Sequence, residues 1–269
     1  MSRKRGARRM SGAIPLAVAL GLTLAGAGAA RAQSDILERE PTEELPGHRF
    51  RSVQRFAFEV KFGPYRPDVD SEFPQSGPNM RTPYKDYFGN GRHLYSALEL
   101  DWQLFHKFGS IGVGAGVGYF SVTGTAPAGN GTGLPSGDTS GFTVVPVSFS
   151  AIYRFDHFLE TRNIPLVPFG KIGLDWAYWQ ITDGNGEIAH DNMGDTGRGG
   201  TLGWHASAGL ALVLDWLDPE AARDFDSDIG VNHTALTFEY THADISGLGR
   251  SGRLHVGDST WTLGLLLEF

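Results

Sequence analysis

The chain contains no cysteine among its 269 residues. Disulfides therefore add nothing to its stability, which must come from packing or from the hydrogen-bond closure of a sheet. The same absence excludes a lipid-modified cysteine after the apolar run near the start. Beyond residue 32 there is no stretch of the roughly 18 apolar residues that a spanning helix needs. Basic residues are few, 23 Lys and Arg against 30 Asp and Glu. That balance makes a poor nucleic-acid binder, because phosphate recognition needs clustered Lys and Arg. Glycine (37 residues) and aromatics (12%) are plentiful, a composition compatible with an all-β protein that is polar on one face.

Residues 1–32 have the three parts of an export signal. Arg3, Lys4, Arg5, Arg8 and Arg9 form a basic start, an apolar run covers 13–30, and Ala30-Arg31-Ala32 supplies a small-residue cleavage site. The expected organisation is a signal peptide at 1–32, an acidic periplasmic extension at 33–50, and one domain at 51–269. Removing the signal takes away six basic and no acidic residues, moving the formal charge from −7 to −13.

The domain alternates with period two, the signature of strands. Phe56, Phe58, Val60 and Phe62 share one face, opposite Ala57, Glu59 and Lys61. Leu98, Leu100, Trp102 and Leu104 lie opposite Ala97, Glu99, Asp101 and Gln103. Ile111 to Tyr119 places apolar residues opposite Gly112, Gly114, Gly116 and Gly118, so the glycine side is expected to face a crowded interior. The pattern recurs at 145–153, at 171–178 and from Trp204 to Trp216 opposite His205 and Ser207. It recurs again at 236–241 and from Trp261 to Phe269. That makes eight strands, each long enough to cross a bilayer when tilted. The connectors alternate in length. Residues 64–92, 124–140, 183–200 and 248–257 read as long loops, and 106–110, 156–165 and 217–232 as turns, the last starting with one helical turn capped by Asp218 before Pro219. The prolines of the first loop argue against a further strand pair there.

Alternation alone does not separate a soluble barrel from a membrane one, because the soluble kind lines its cavity with apolar residues and faces water with polar ones. Here the apolar faces are nearly continuous, while the opposite faces hold charges, Ser, Thr and Gly, too little bulk for a soluble core. Large aromatics, among them Tyr119, Tyr153, Trp176, Tyr178, Trp204 and Trp216, gather near strand ends as interfacial girdles do. The expected fold is an all-β, eight-stranded antiparallel up-and-down transmembrane β-barrel.

The end of the chain, with Trp261, Leu263, Leu265, Leu267 and Phe269 on one face, resembles the insertion signal of bacterial outer-membrane barrels. That resemblance implies recognition by the barrel-assembly machinery and a place in the outer membrane of a Gram-negative cell envelope, among its lipids and lipopolysaccharide. The plan resembles the small barrels of the OmpA, OmpX and OmpW type. Stretches 55–65, 95–118 and 168–179 are more closely similar to an uncharacterised myxobacterial family of such barrels, a resemblance that implies no activity.

Glu59, Lys61, Glu99, Asp101, Lys171, Asp175, His205 and Glu239 lie on inward faces. Buried charges must be paired, so these residues are expected to form a polar network that plugs the lumen. An eight-stranded barrel leaves an interior just wide enough for side chains. The alternative is a narrow, cation-preferring, porin-like path for small or amphipathic solutes. The acidic runs 68–72 and 183–187 lack a full calcium-loop pattern and read as turn chemistry. His242 and Ser246, with Asp244 between them, are the best candidates for a nucleophilic pair. Lipid A deacylases place their His two residues before the Ser, whereas here the gap is four. No catalytic residue, metal or cofactor is expected, a lipid-modifying hydrolase being the enzymatic alternative. A lone barrel has no sheet edge that demands a partner, so a monomer is expected. Its role is expected to be structural or surface-interacting, through the long loops. Tyr65, Tyr84, Tyr87 and Phe88 of the first loop form the expected contact surface.

Overall fold

The computed structural model describes residues 55–74, 76–77, 80–106, 108–127, 135–162, 164–190, 196–250 and 252–269. The expected signal peptide and periplasmic extension lie outside the described residues. Eight strands follow one another: β1 (Phe56–Tyr65), β2 (His93–His106), β3 (Ser110–Pro127), β4 (Pro135–Arg154), β5 (Leu166–Thr182), β6 (Arg198–Val213), β7 (His233–Asp244) and β8 (Asp258–Glu268). Each pairs antiparallel with the next, and β8 pairs with β1 to close the barrel. Among the described residues no helix is long and apolar enough to cross a membrane.

The registers fix the barrel's geometry. From Ala57, successive partners are Asp101, Gly114, Ser150, Gly173, His205, Ala243 and Asp258. The direct partner of Ala57 on β8 is Glu268, so one circuit gains ten residues. A shear of ten over eight strands, at about 3.3 Å per residue and about 4.8 Å between strands, tilts the strands by about 40°.

Side chains sort by parity as the alternation predicts. Leu98, Leu100 and Trp102 point out, and Ala97, Glu99 and Asp101 are buried within. On β8, Trp261, Leu263 and Leu265 are outward and exposed, whereas Thr260, Thr262 and Leu266 are buried. The backbone of Phe269 closes the seam: its N–H donates to Phe56 O at 2.8 Å and its carbonyl accepts from Arg55 N–H at 2.8 Å.

Both ends of the strand series sit at one rim, here the turn end, with the connectors 107–109, 155–165 and 214–232. Two of these connectors hold more structure than expected: α2 (His157–Arg162) lies in the second. In the third, the expected single turn is an eleven-residue helix, α3 (Pro219–Ile229). Asp218 caps it as the sequence suggests, accepting from the N–H groups of Glu220 and Ala221 at 3.2 and 3.0 Å.

The opposite rim, the loop end, corrects the sequence reading more sharply. Residues 124–140 are not mainly a loop, because β3 runs to Pro127, β4 starts at Pro135, and Thr125 pairs with Thr139. This hairpin leaves the apolar band. Above Tyr119 the outward positions become Ser121, Thr123 and Thr125, while Phe120 and Val122 remain buried inside. Near the other edge of the first loop, β1 continues through Pro64 to Tyr65. The loop itself holds the short helix α1 (Pro83–Phe88).

Candidate functional site

Three inward-facing layers line the barrel. The middle layer is ionic. Lys61 of β1 reaches Glu99 at 2.5 Å and Glu239 at 3.3 Å, and Lys171 of β5 reaches Glu99 at 2.6 Å and both Glu59 and Glu239 at 3.1 Å. Thr237 donates its hydroxyl to Glu59, and Thr241 donates to Glu239 at 3.1 Å. All five charged side chains are buried. Three carboxylates held by two ammonium groups satisfy the rule that buried charge must be paired and hydrogen-bonded. Glycines opposite make the room for these side chains: a Cβ on Gly116 would lie 2.6 Å from Ser148 Oγ, and one on Gly118 2.2 Å from the Tyr95 hydroxyl.

Asp101, Asp175 and His205, also expected in the lumen network, sit outside this cluster. Asp101 turns toward the turn end and pairs with Arg154 of β4, a buried cation absent from the sequence reading. The carboxylate lies over Gly114, where a Cβ would come within 2.4 Å of Oδ1. Arg154 shares the parity of Ser148, Ser150 and Ile152, so alternation could have placed it inside. Its position beside a turn concealed it.

His205 forms a second group. Its Nδ1 lies 2.8 Å from Asp175 Oδ2 and its Nε2 3.0 Å from Ser150 Oγ, with the ring stretched across Gly173 from β6 to β4. The order Ser, His, Asp is that of an activated nucleophile. All three residues are buried within the lumen, and the chain of hydrogen bonds straps three strands together. A cavity of about 110 Å³ lies beside it, lined by Tyr95, Glu99, Lys171, Asp175, His205 and Glu239 among others. Its walls also include Leu98, Val117 and Ile245, so polar and apolar surface meet there.

Apolar layers stand on either side. Toward the loop end, Tyr65, Phe120, Val122, Phe142, Val144 and Val256 form one buried cluster. Toward the turn end, Ala57, Val167, Phe169, Ala211, Val213 and Leu266 form another.

The first loop folds onto the upper cluster. Asp70, itself buried, accepts from the N–H of Tyr84 at 2.8 Å and of Lys85 at 3.3 Å, and from the Arg66 guanidinium at 2.8 Å. It thereby holds the start of α1 over the mouth. Tyr84 packs against Phe142 and Phe88, with Arg66 over its ring. This overturns most of the expected contact surface. Tyr65 and Tyr84 are buried and Phe88 is packed against the core, so only Tyr87 of the four aromatics is exposed. The acidic runs behave as turn and cap groups: Asp70 as above, and Asp183 by accepting from the N–H of Asn185 and Glu187 at 2.9 and 3.0 Å.

Burial pushes the Tyr84 phenol up to about 12, helped by Asp70 and opposed by Arg66. The folded cap therefore favours the protonated phenol. Its contribution is complete below about pH 10, the ordinary tyrosine range, and is lost as pH rises through 12. Among the described residues the hydroxyl has no hydrogen-bond partner. Tyr84→Phe is accordingly expected to leave stability unchanged or slightly raised at neutral pH and to abolish the alkaline loosening of the cap. Limited proteolysis of the first loop across pH 8 to 12 reads both effects.

His242 does not meet Ser246. Its Nδ1 lies 2.7 Å from Ser259 Oγ, its register partner on β8, on the outward face beside Trp204. Among the described residues no carboxylate is hydrogen-bonded to His242, so the pair lacks the orienting acid of a triad.

No family model and no curated protein matches the chain. Solved structures do. OprG of Pseudomonas aeruginosa is 11% identical with a TM-score of 0.43, over 81% of this chain and 96% of its own. Neisserial surface protein A is 12% identical with a TM-score of 0.41, over 80% and 97%. Ail, the attachment invasion locus protein of Yersinia pestis, solved with a heparin analogue, is 10% identical with a TM-score of 0.37, over 80% and 97%. At these values the closed eight-stranded fold rests on the chain's own registers.

Proposed function

We propose that this chain is an integral barrel of the Gram-negative outer membrane, exported through residues 1–32, whose lumen is closed and whose function lies at its loop end. The observation that carries this reading is the layering of the lumen, an ionic layer between two buried apolar clusters. Water and ions cross a pore through continuous polar surface, and apolar constrictions oppose them. The outward faces support the membrane: Leu100, Trp102, Phe149, Ile172, Leu174 and Leu263 are each at least half exposed, a patch that water would not tolerate in a monomer. Exposed aromatics ring the turn end at Phe105, Phe108 and Trp216, as an interfacial girdle should. The side with short turns then faces the periplasm and the capped side faces outward. Lipopolysaccharide surrounds the outward-facing end, and the cap built on Asp70 and α1 is a rigid platform for contact with an extracellular partner.

The test is planar-bilayer conductance of the refolded protein. A silent trace from folded, heat-modifiable protein is the expected result. Steady cation-selective openings that weaken on Glu99→Gln would replace this reading with the narrow pore.

A further inference from the structure

Helix α3 carries an apolar face that nothing among the described residues covers. Ala221, Ala222, Phe225 and Ile229 fall on one side of the helix, and Glu220, Arg223, Asp224, Ser227 and Asp228 on the other. Phe225 is 49% exposed and Ile229 61%. This is not a frayed segment, because both helix ends are tied to the barrel rim. Leu217 N–H donates to Leu214 O at 2.8 Å before the helix. After it, Gly230 takes the left-handed conformation, Val231 is buried and Asn232 N–H donates to Glu268 O at 2.7 Å.

The helix overlooks a cleft of about 230 Å³ whose other wall includes Leu214 and Thr234. Parity decides which way the cleft faces. Leu214 continues the outward series Leu202, Trp204, Leu210 and Leu212, and Thr234 continues Leu236, Phe238 and Tyr240. The cleft is thus continuous with the apolar outer face of the barrel. Trp216 and Leu217, 58% and 61% exposed, flank it at the rim.

We propose that α3 is an interfacial helix that lies in the periplasmic leaflet and seats phospholipid acyl chains in this cleft. The occupant follows from position and charge. The opening is sideways, on the face that meets hydrocarbon, and the helix's polar side is acidic, which disfavours anionic headgroups and leaves the acyl chains as the attraction. This inference rests on the outer-membrane reading.

The absence of cysteine allows a clean test. Single nitroxide labels are placed by Phe225→Cys, Ile229→Cys, Asp224→Cys and Ser227→Cys, with Leu210→Cys as a mid-barrel control, in the mature chain refolded into phosphatidylcholine vesicles. Collision with oxygen, which partitions into lipid, is compared with collision with a water-soluble nickel chelate. Oxygen should dominate at 225 and 229 and the chelate at 224 and 227, giving a maximum every three to four residues. Chelate dominance at all four helix positions overturns the proposal. So does shielding of 225 and 229 from both reagents, which would mean a protein partner or a second copy covers them. Oxygen dominance at 210 shows that the barrel reading survives such a failure, and chelate dominance at 210 removes both. Heat-modifiable mobility confirms that each labelled protein is folded.

Discussion

Replacing Lys171 with methionine is expected to cost about 3–5 kcal/mol of folding stability, the range for removing one partner of a buried ion pair. The ammonium lies within 3.1 Å of Glu59, Glu99 and Glu239, and methionine leaves three buried carboxylates with Lys61 alone. The cost arises from uncompensated charge rather than from lost attraction, so a second change that removes charge should restore part of it. Lys171→Met combined with Glu239→Gln is expected to be more stable than Lys171→Met alone, a coupling that independent sites would not show. Reversible urea unfolding in lipid vesicles, followed by tryptophan fluorescence, measures both. A loss below about 1 kcal/mol for Lys171→Met would mean that water enters the middle layer and relieves the carboxylates, since solvated pairs are worth that little.

The strands were legible because one physical rule governs them over the apolar band: outward positions are bulky and apolar, and inward ones are small or polar. Phe56 to Phe62 obey it without exception, and Trp261 to Phe269 break it only at Leu266, which packs inside. The rule fails above Tyr119, where the polarity reverses. There the outer face meets water and takes Ser121, Thr123 and Thr125, and the inner face packs as a core through Phe120, Val122, Phe142 and Val144. With Gly124 and Pro127 added, composition reads as a loop what register shows to be a hairpin. The close fit at its edge also has a local cause: a Cβ on Gly124 would lie 2.0 Å from Tyr87 O, so only glycine lets the first loop lie down there.

The lumen was legible in part by residue, Arg154 being missed, and not pair by pair. Parity brought Glu59, Lys61, Glu99, Lys171 and Glu239 inside. Which of them meet depends on the ten-residue shear, which the sequence does not display. Asp101 and Glu99 are two residues apart on one strand, yet one faces Arg154 and the other both lysines. Tyr65, Tyr84 and Phe88 were misread for a related reason. In loops, aromatic residues suggest contact surfaces, but here the loop has a core of its own beneath it, closed by the Asp70 clamp.

Everything proposed above depends on hydrocarbon, not water, touching the outer face, and one substitution probes that surface at mid-height. Ile172 of β5 points outward, is 62% exposed and stands midway between Leu166 and Tyr178. In a bilayer, Ile172→Arg places a guanidinium at the centre of the apolar band and is expected to cost about 2–4 kcal/mol, whereas the same change at a rim position such as Leu94 should cost about 0–1 kcal/mol. The measurement is reversible urea unfolding of both variants in phospholipid vesicles. A clear penalty at 172 that fades at 94 is the predicted result. Equal changes within about 0.5 kcal/mol at both positions, as expected of surface sites in water, would contradict it.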